Sequence, residues 1–147
     1  MAAKHARVDQ RFPTGKRAVV TRAPDNEGRE RLSWRLGDAD LGGAFGWDSI
    51  SDAHLRSVFK MLCEADKSAW EAMAGDGMGQ IKSIPVGNLS SSAKRRLQEI
   101  QRDDEEWLHE IRLGSRPRMW GIRRQGIFHI LWWDPNHRVC PAPLRNT

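Results

Sequence analysis

Arginine, histidine and tryptophan crowd the last quarter of the chain. Residues 112–147 carry seven arginines and no lysine against one acid, Asp134. Arg112, Arg116, Arg118, Arg123, Arg124 and Arg138 are interleaved there with His129, His137 and three of the chain's seven tryptophans. Guanidinium groups pair bidentately with phosphate and stack on bases, whereas lysine offers a point charge. Imidazole exchanges a proton near neutral pH. Together these types point to binding of a polyanion and to acid–base chemistry as a candidate activity on it. The competing reading is a basic face that serves solubility only.

The histidines differ in setting. His129 lies inside the apolar run Ile127–Trp133, where an imidazole is costly unless it is hydrogen-bonded. It is either a core histidine paired to a backbone carbonyl or to Asp134, or a general acid or base facing the arginines. His137 follows the turn Asp134-Pro-Asn and is expected to be more accessible, as a proton carrier or merely a turn residue. The series His129, Asp134, His137, Cys140 matches no zinc spacing, so no metal is expected, and no cofactor is called for. Cys140 stands next to Pro141 with little scaffold around it and is a poor nucleophile candidate. There is no glycine-rich phosphate loop and no paired-carboxylate arrangement.

The elements that position these residues are read from periodicity. Arg31–Leu36 alternates and predicts a short first strand; Phe45 and Trp47, in a glycine-rich loop, should tuck onto the core. Ser49–Asp52 resembles a capping box, and Leu55, Val58, Phe59, Leu62, Ala65, Ala69 and Met73 fall at helical spacing until Gly75 and Gly77. Cys63, beside that stripe, reads as a buried small residue. A loop with Pro85 and Gly87 follows, then a second helix capped by Ser90–Ser92 with Leu89, Ala93, Leu97 and Ile100 inward. From Leu108 the period becomes two. Leu108–Leu113, Arg118–Arg123 and Ile127–Trp133 are strands, with a hairpin turn at Arg124-Gln-Gly126 in which glycine takes the left-handed position. Arg138–Cys140 could add a last short strand. Alternation puts Arg118 on one face with Trp120 and Ile122, and Arg123 on the other with Met119 and Gly121. The expected class is α+β: a short N-terminal strand, two helices, then a three- to four-stranded antiparallel sheet.

Charge and length frame the rest. The net charge of +5 conceals a basic start, an acidic middle and a basic end. Residues 1–30 are polar, arginine-rich and weakly patterned, and are expected to form a flexible basic leader before a single domain over 31–147. No stretch reaches the ~18–20 apolar residues of a membrane span, so no membrane association is expected. Met1–Arg7 lacks an apolar segment behind it, which argues against a secretory signal. Two unpaired cysteines fit a reducing compartment, and the cytoplasm is the expected location.

The element order, the Leu108–Leu113 strand with its Ile111-Arg112 pair, the Arg118 strand and the run Ile127-Phe-His-Ile-Leu-Trp-Trp-Asp-Pro-Asn-His137 resemble the RelE/HigB-type toxins of bacterial toxin–antitoxin systems, over residues 31–140. The resemblance implies a curved antiparallel sheet with two helices at its back. It implies a metal-independent endoribonuclease that cleaves mRNA, often on the ribosome, and is neutralised by a cognate antitoxin. On this reading Arg112, Arg118 and Arg123 clamp phosphate, with Arg116, Arg124 and Arg138 assisting, and His129 or His137 carries the proton. Some relatives use a tyrosine near the chain end; this chain has none, so a histidine would take its place. The alternatives are a non-catalytic nucleic-acid-binding module, or a protein-interaction module of a mobile element with Trp120, Trp132 and Trp133 on its surface.

Overall fold

The computed structural model describes residues 31–73 and 80–141. The expected basic leader, the glycines at 75 and 77, Pro143 and Arg145 lie outside the described residues. Strand β1 (Ser33–Arg35) is followed by helix α1 (Asp52–Ala65), the short helix α2 (Trp70–Met73) and strand β2 (Ile81–Pro85). Helix α3 (Ser91–Glu99) leads into β3 (Trp107–Arg112), β4 (Arg118–Arg124) and β5 (Ile127–Asp134).

The class is α+β, but the sheet is five-stranded and mixed, in the order β1-β5-β4-β3-β2. β1 runs parallel to β5, and β2 through β5 form antiparallel pairs. β2 falls where the sequence predicts a loop. Its Ile81-Lys-Ser-Ile84 alternation is short and ends in proline, and an edge strand tolerates proline because its outer N–H has no ladder partner.

The two longer helices, α1 and α3, start where a serine can cap them. Ser51 accepts from the His54 N–H and Ser90 from the Ala93 N–H. The single long helix expected to reach Met73 breaks at 66–69. There the Leu32 N–H donates to the Ser68 carbonyl, and the Arg31 side chain donates to the Asp66 carbonyl. The approach to β1 therefore takes over carbonyls at the helix end. Cys63 is exposed, not buried, because it falls one residue beyond the inward Leu62 on α1.

The two layers of helix lie on opposite faces of the sheet. One core joins Val58 and Ala65 of α1 and Trp70 and Met73 of α2 to Ile81, Ile111, Met119, Phe128, Ile130 and Trp133. The other joins Ala93 and Leu97 of α3, with Phe45, Leu89 and Val139, to Leu108, Trp120, Ile122, Leu131 and Trp132. Burying both faces explains why β5 is a nearly continuous apolar run. A bulge makes this possible. Trp120 pairs with Trp132 but Gly121 with Ile130, so Leu131 is the extra residue and joins Trp132 on the α3 face. Its carbonyl accepts from the Asp40 N–H and from the Trp47 indole.

Trp120, Trp132 and Trp133 are fully buried, so none belongs to an exposed partner surface. The Trp132 indole donates to Asp40 and the Trp120 indole to Asp134. Phe45 packs on Trp132 and Trp47 on Trp133, as the loop reading anticipates. At the β4–β5 turn the left-handed residue is Gln125, with φ of 60°, rather than the glycine beside it. Residues 138–140 do not form a strand; Asp134 folds them back instead.

Candidate functional site

The hairpin between β3 and β4 sets the register that builds the site. Arg112 stands opposite Arg118, and Arg118 opposite Asp134, so the three residues form one row across three strands. One row further along lie Lys82, Glu110, Trp120 and Trp132, also paired across the sheet. Paired residues share a face, and Trp120 and Trp132 fix it as the α3 face.

Glu110 joins this corner together. Its Oε1 is 3.6 Å from Arg118 Nε, and its Oε2 is 3.3 Å from His137 Nε2. Glu110 and Arg118 are buried, whereas His137 is partly open to solvent. Arg118 Nη1 donates to the Gly114 and Pro117 carbonyls of the hairpin loop, while its buried Nε–H has no hydrogen-bond acceptor. Arg118 is thus not an open phosphate clamp. It braces the loop and faces the carboxylate that meets His137. Arg112, Arg116 and Arg138 are exposed around this corner, with Lys82 beside Glu110.

Asp134 holds the histidine turn. Its carboxylate accepts from the Arg138 N–H at 2.8 Å, the Val139 N–H at 2.9 Å and the Trp120 indole at 3.2 Å. The chain reverses through His137, whose φ of 58° is unusual for a side-chain-bearing residue. Such a conformation persists only where surrounding contacts enforce it, here the two backbone donors to Asp134. Cys140 lies close by; burial first, and then the negative charge of Glu110 and Asp134, pushes its thiol pKa up. A thiol held protonated is a poor nucleophile, in keeping with the sequence reading.

The remaining cations and imidazole do not converge here. His129 Nδ1 is 3.0 Å from Asp38 Oδ2, so its partner is neither Asp134 nor a backbone carbonyl. Asp38 also receives Arg102. His129 and Asp134 are five residues apart on β5, roughly 17 Å at ~3.3 Å per residue, so the two histidines cannot serve one phosphate. Arg124 pairs with Glu105 at the far end of β4. Arg123 points to the other face, as alternation requires, and stacks over Trp70 at 4.1 Å. The arginines and histidines that the sequence reading grouped on one polyanion therefore do not meet at one place: strand alternation and strand length divide them between faces and ends.

That far end holds a depression of about 630 Å³, lined by Ser83, His109, Arg123, Trp107 and the acids 104–106. His109 Nδ1 is 3.0 Å from Ser83 Oγ. Burial, and then the Arg123 charge, pushes its pKa down to about 4, which leaves a neutral and weakly basic imidazole. None of its hydrogen bonds is to a carboxylate that could orient it as a base. Among the described residues no group of His, Cys, Asp and Glu could hold a metal ion. No described helix is long and apolar enough to cross a membrane.

Sequence reasoning missed Glu110 and Lys82. The signal for Glu110 was present: an acid between Leu108 and Arg112 on one face of a strand, one row from Arg118. Reading it required the hairpin register. Comparison with family models, curated proteins and solved structures finds no match to this chain, so the site stands on its own residues.

Proposed function

We propose that the corner formed by Arg112, Arg118, Glu110, His137 and Arg138 binds RNA and cleaves it without a metal, in the manner of a RelE/HigB-type nuclease. The observation that carries this reading is the Glu110 carboxylate joining the buried Arg118 to a part-exposed His137, inside a rim of exposed guanidinium groups. With Nε2–H donated to Glu110, the imidazole presents Nδ1 as a base, and the carboxylate stabilises the imidazolium that forms. His137 takes the proton of a ribose 2′-hydroxyl as its oxygen bonds to the adjacent phosphorus. The P–O5′ bond breaks, and the imidazolium returns the proton to the leaving oxygen. The products are a 2′,3′-cyclic phosphate and a 5′-hydroxyl end. Arg112, Arg116 and Arg138 bear the charge that develops on the phosphorane oxygens. Arg118 is a positioning residue on this scheme, and His129, Arg123 and Arg124 lie outside it.

The mixed five-stranded sheet, with helices on both faces, departs from the open curved sheet that the resemblance implies. The corner beyond α3, at the β3–β4 hairpin, is where substrate has access. A nuclease of this kind calls for an antitoxin protein to restrain it, and ribosome-bound mRNA is the natural substrate class.

Purified protein incubated with single-stranded RNA tests the proposal, with and without EDTA, beside His137→Ala and His129→Asn. Cleavage that survives EDTA and His129→Asn but is lost in His137→Ala supports it. Cleavage that EDTA abolishes overturns it. Steeply salt-dependent binding without products would make the corner a nucleic-acid-binding surface instead, since each phosphate contact adds ~0.7 to the salt slope on single strands.

A further inference from the structure

Of the chain's seven tryptophans Trp107 alone is exposed, at 48 %. It borders the depression at the far end of β3 and β4, whose space of about 630 Å³ falls within the ~300–1,000 Å³ of small-molecule sites. The wall beside it is braced. Buried Trp70 carries Arg123 stacked 4.1 Å over its ring and His109 edge-on at 5.5 Å, and His109 Nδ1 meets Ser83 Oγ. A lone exposed apolar residue is ordinary on a surface, but an indole at the edge of a preformed polar hollow offers a flat ring a face to stack on. The depression is separate from the Glu110–His137 corner: His109 and Arg123 face the α1 and α2 side of the sheet, and Glu110 and Arg118 the α3 side.

The hollow is polarised. Asp104 and Glu106 stand on one side, in the turn before β3; both are exposed, and neither carboxylate is in an ion pair among the described residues. Arg123 and Gln125 stand on the other, at the end of β4 and in the turn after it, and the Glu105–Arg124 ion pair ties the two sides together. His109 between them is neutral at pH 7. A phosphate or carboxylate ligand would meet Asp104 and Glu106, and an organic cation would meet Arg123. A neutral, flat molecule with donors along one edge and acceptors along another suits both sides. A sugar ring also stacks on indole, but its hydroxyls donate and accept all round and gain little from a polarised site.

Among nucleobases, guanine alone sets two donors side by side, N1–H and the N2 amino group, matched to the two oxygens of a carboxylate, with the acceptors O6 and N7 on the adjoining edge. Adenine and cytosine put a ring acceptor beside their amino group, and uracil has one N–H between two carbonyls, so a carboxylate meets a lone pair in each. We propose that the depression is a guanine-binding site: the base stacks on Trp107, N1–H and the N2 amino group donate to the carboxylate of Asp104 or Glu106, and O6 and N7 face Arg123 and Gln125. Bonds to an ionised acceptor are the strong ones, so the carboxylate carries the selectivity. The inference does not depend on the nuclease reading. Its ligand is the base itself, whether of a free nucleoside or of an RNA strand.

Equilibrium dialysis of the full chain against guanosine, inosine, adenosine, cytidine and methyl glucoside tests this. Guanosine should bind saturably and at least about tenfold more tightly than adenosine or cytidine, and inosine, which lacks the N2 amino group, at least about fivefold more weakly than guanosine. Trp107→Ala should weaken guanosine at least about fivefold, and the pair Asp104→Asn/Glu106→Gln about tenfold or more. The single carboxylate variants show which acid pairs with the base. All three side chains are exposed, so the variants should keep the wild-type circular dichroism and unfolding midpoint. A 2′-O-methylated tetramer with one guanine among uracils, which has no 2′-hydroxyl to be cleaved through, separates the two sources. Tighter binding than guanosine, lost when adenine replaces the guanine, supports the site as one for RNA; binding no tighter than guanosine supports it as one for the nucleoside. No saturable guanosine binding, equal binding of inosine, adenosine or methyl glucoside, or insensitivity to Trp107→Ala or to the double variant overturns the proposal.

Discussion

Replacing Asp134 by asparagine tests the clamp that shapes the His137 turn. The side chain is buried, and its two oxygens serve three donors: the Arg138 N–H on Oδ1, and the Val139 N–H and Trp120 indole on Oδ2. An asparagine has one acceptor oxygen. Placed at the Oδ2 position it keeps two bonds without their charge assistance and sets its NH2 against the Arg138 N–H. Hydrogen bonds to a charged group contribute ~1.5–3 kcal/mol each, and an orphaned buried donor costs ~1–3 kcal/mol. The neutral amide is cheaper to bury than the carboxylate, which offsets part of this. The net loss is about 2–4 kcal/mol, or a fall in Tm of roughly 6–13 °C for a chain of this size. Urea unfolding followed by tryptophan fluorescence should show a lower midpoint at unchanged slope. His137, released from its enforced left-handed backbone, should also lose its register with Glu110; on the proposed mechanism, RNA cleavage at a temperature where the variant is folded should then fall. A variant as stable as the wild type would refute the clamp, because the three donors would then have to be satisfied elsewhere.

Three further outcomes follow from the geometry. A β-carbon on Gly121 would lie 2.2 Å from Phe128 Cε1 and 2.5 Å from the His129 carbonyl oxygen, so Gly121→Ala should cost about 3 kcal/mol in thermal or urea unfolding. Asp40 accepts Nε and Nη2 of Arg96 at 2.8 Å each and the Trp132 indole at 2.9 Å. Burial alone would raise its pKa, but those bonds and the Arg96 charge hold it below the usual carboxylate value. Asp40→Ala should therefore destabilise by roughly 3–5 kcal/mol, and more than Arg96→Ala, because the indole loses its acceptor as well. His109 binds a proton near pH 6.5 when unfolded but only near 4 when folded. Its contribution is fully present above pH 6.5 and is lost as pH falls towards 4. Partial solvent access reduces this to about 1–2 kcal/mol. A His109→Asn variant should show a flatter stability profile across that window, and an unchanged slope would reject the shift.

What could be read along the chain followed from local rules. Serines before apolar periodicity announced α1 and α3, a nearly continuous apolar run announced β5, and period-two alternation announced β3 and β4 and assigned Arg118 and Arg123 to opposite faces. The break after Ala65 was not legible, because its cause is a hydrogen bond from Leu32, distant in sequence. β2 was missed for a similar reason: Ile81–Pro85 is a strand only because β3 offers it an edge.

The site divides along the same line. Sequence by itself determined that the cations at the chain end are arginines, that they alternate between faces, and that His137 follows a turn begun by Asp134. Tertiary structure decided which of them meet. The five-residue connection from Leu113 to Pro117 sets Arg112 against Arg118, which brings Glu110 between Arg118 and His137. The length of β5 carries His129 away to Asp38, and acids remote in sequence, Asp38 and Glu105, take up His129 and Arg124. Residue type and spacing are local properties of a chain. Strand register and the choice of partner among several acids depend on packing both faces of the sheet at once, and no segment contains that information alone.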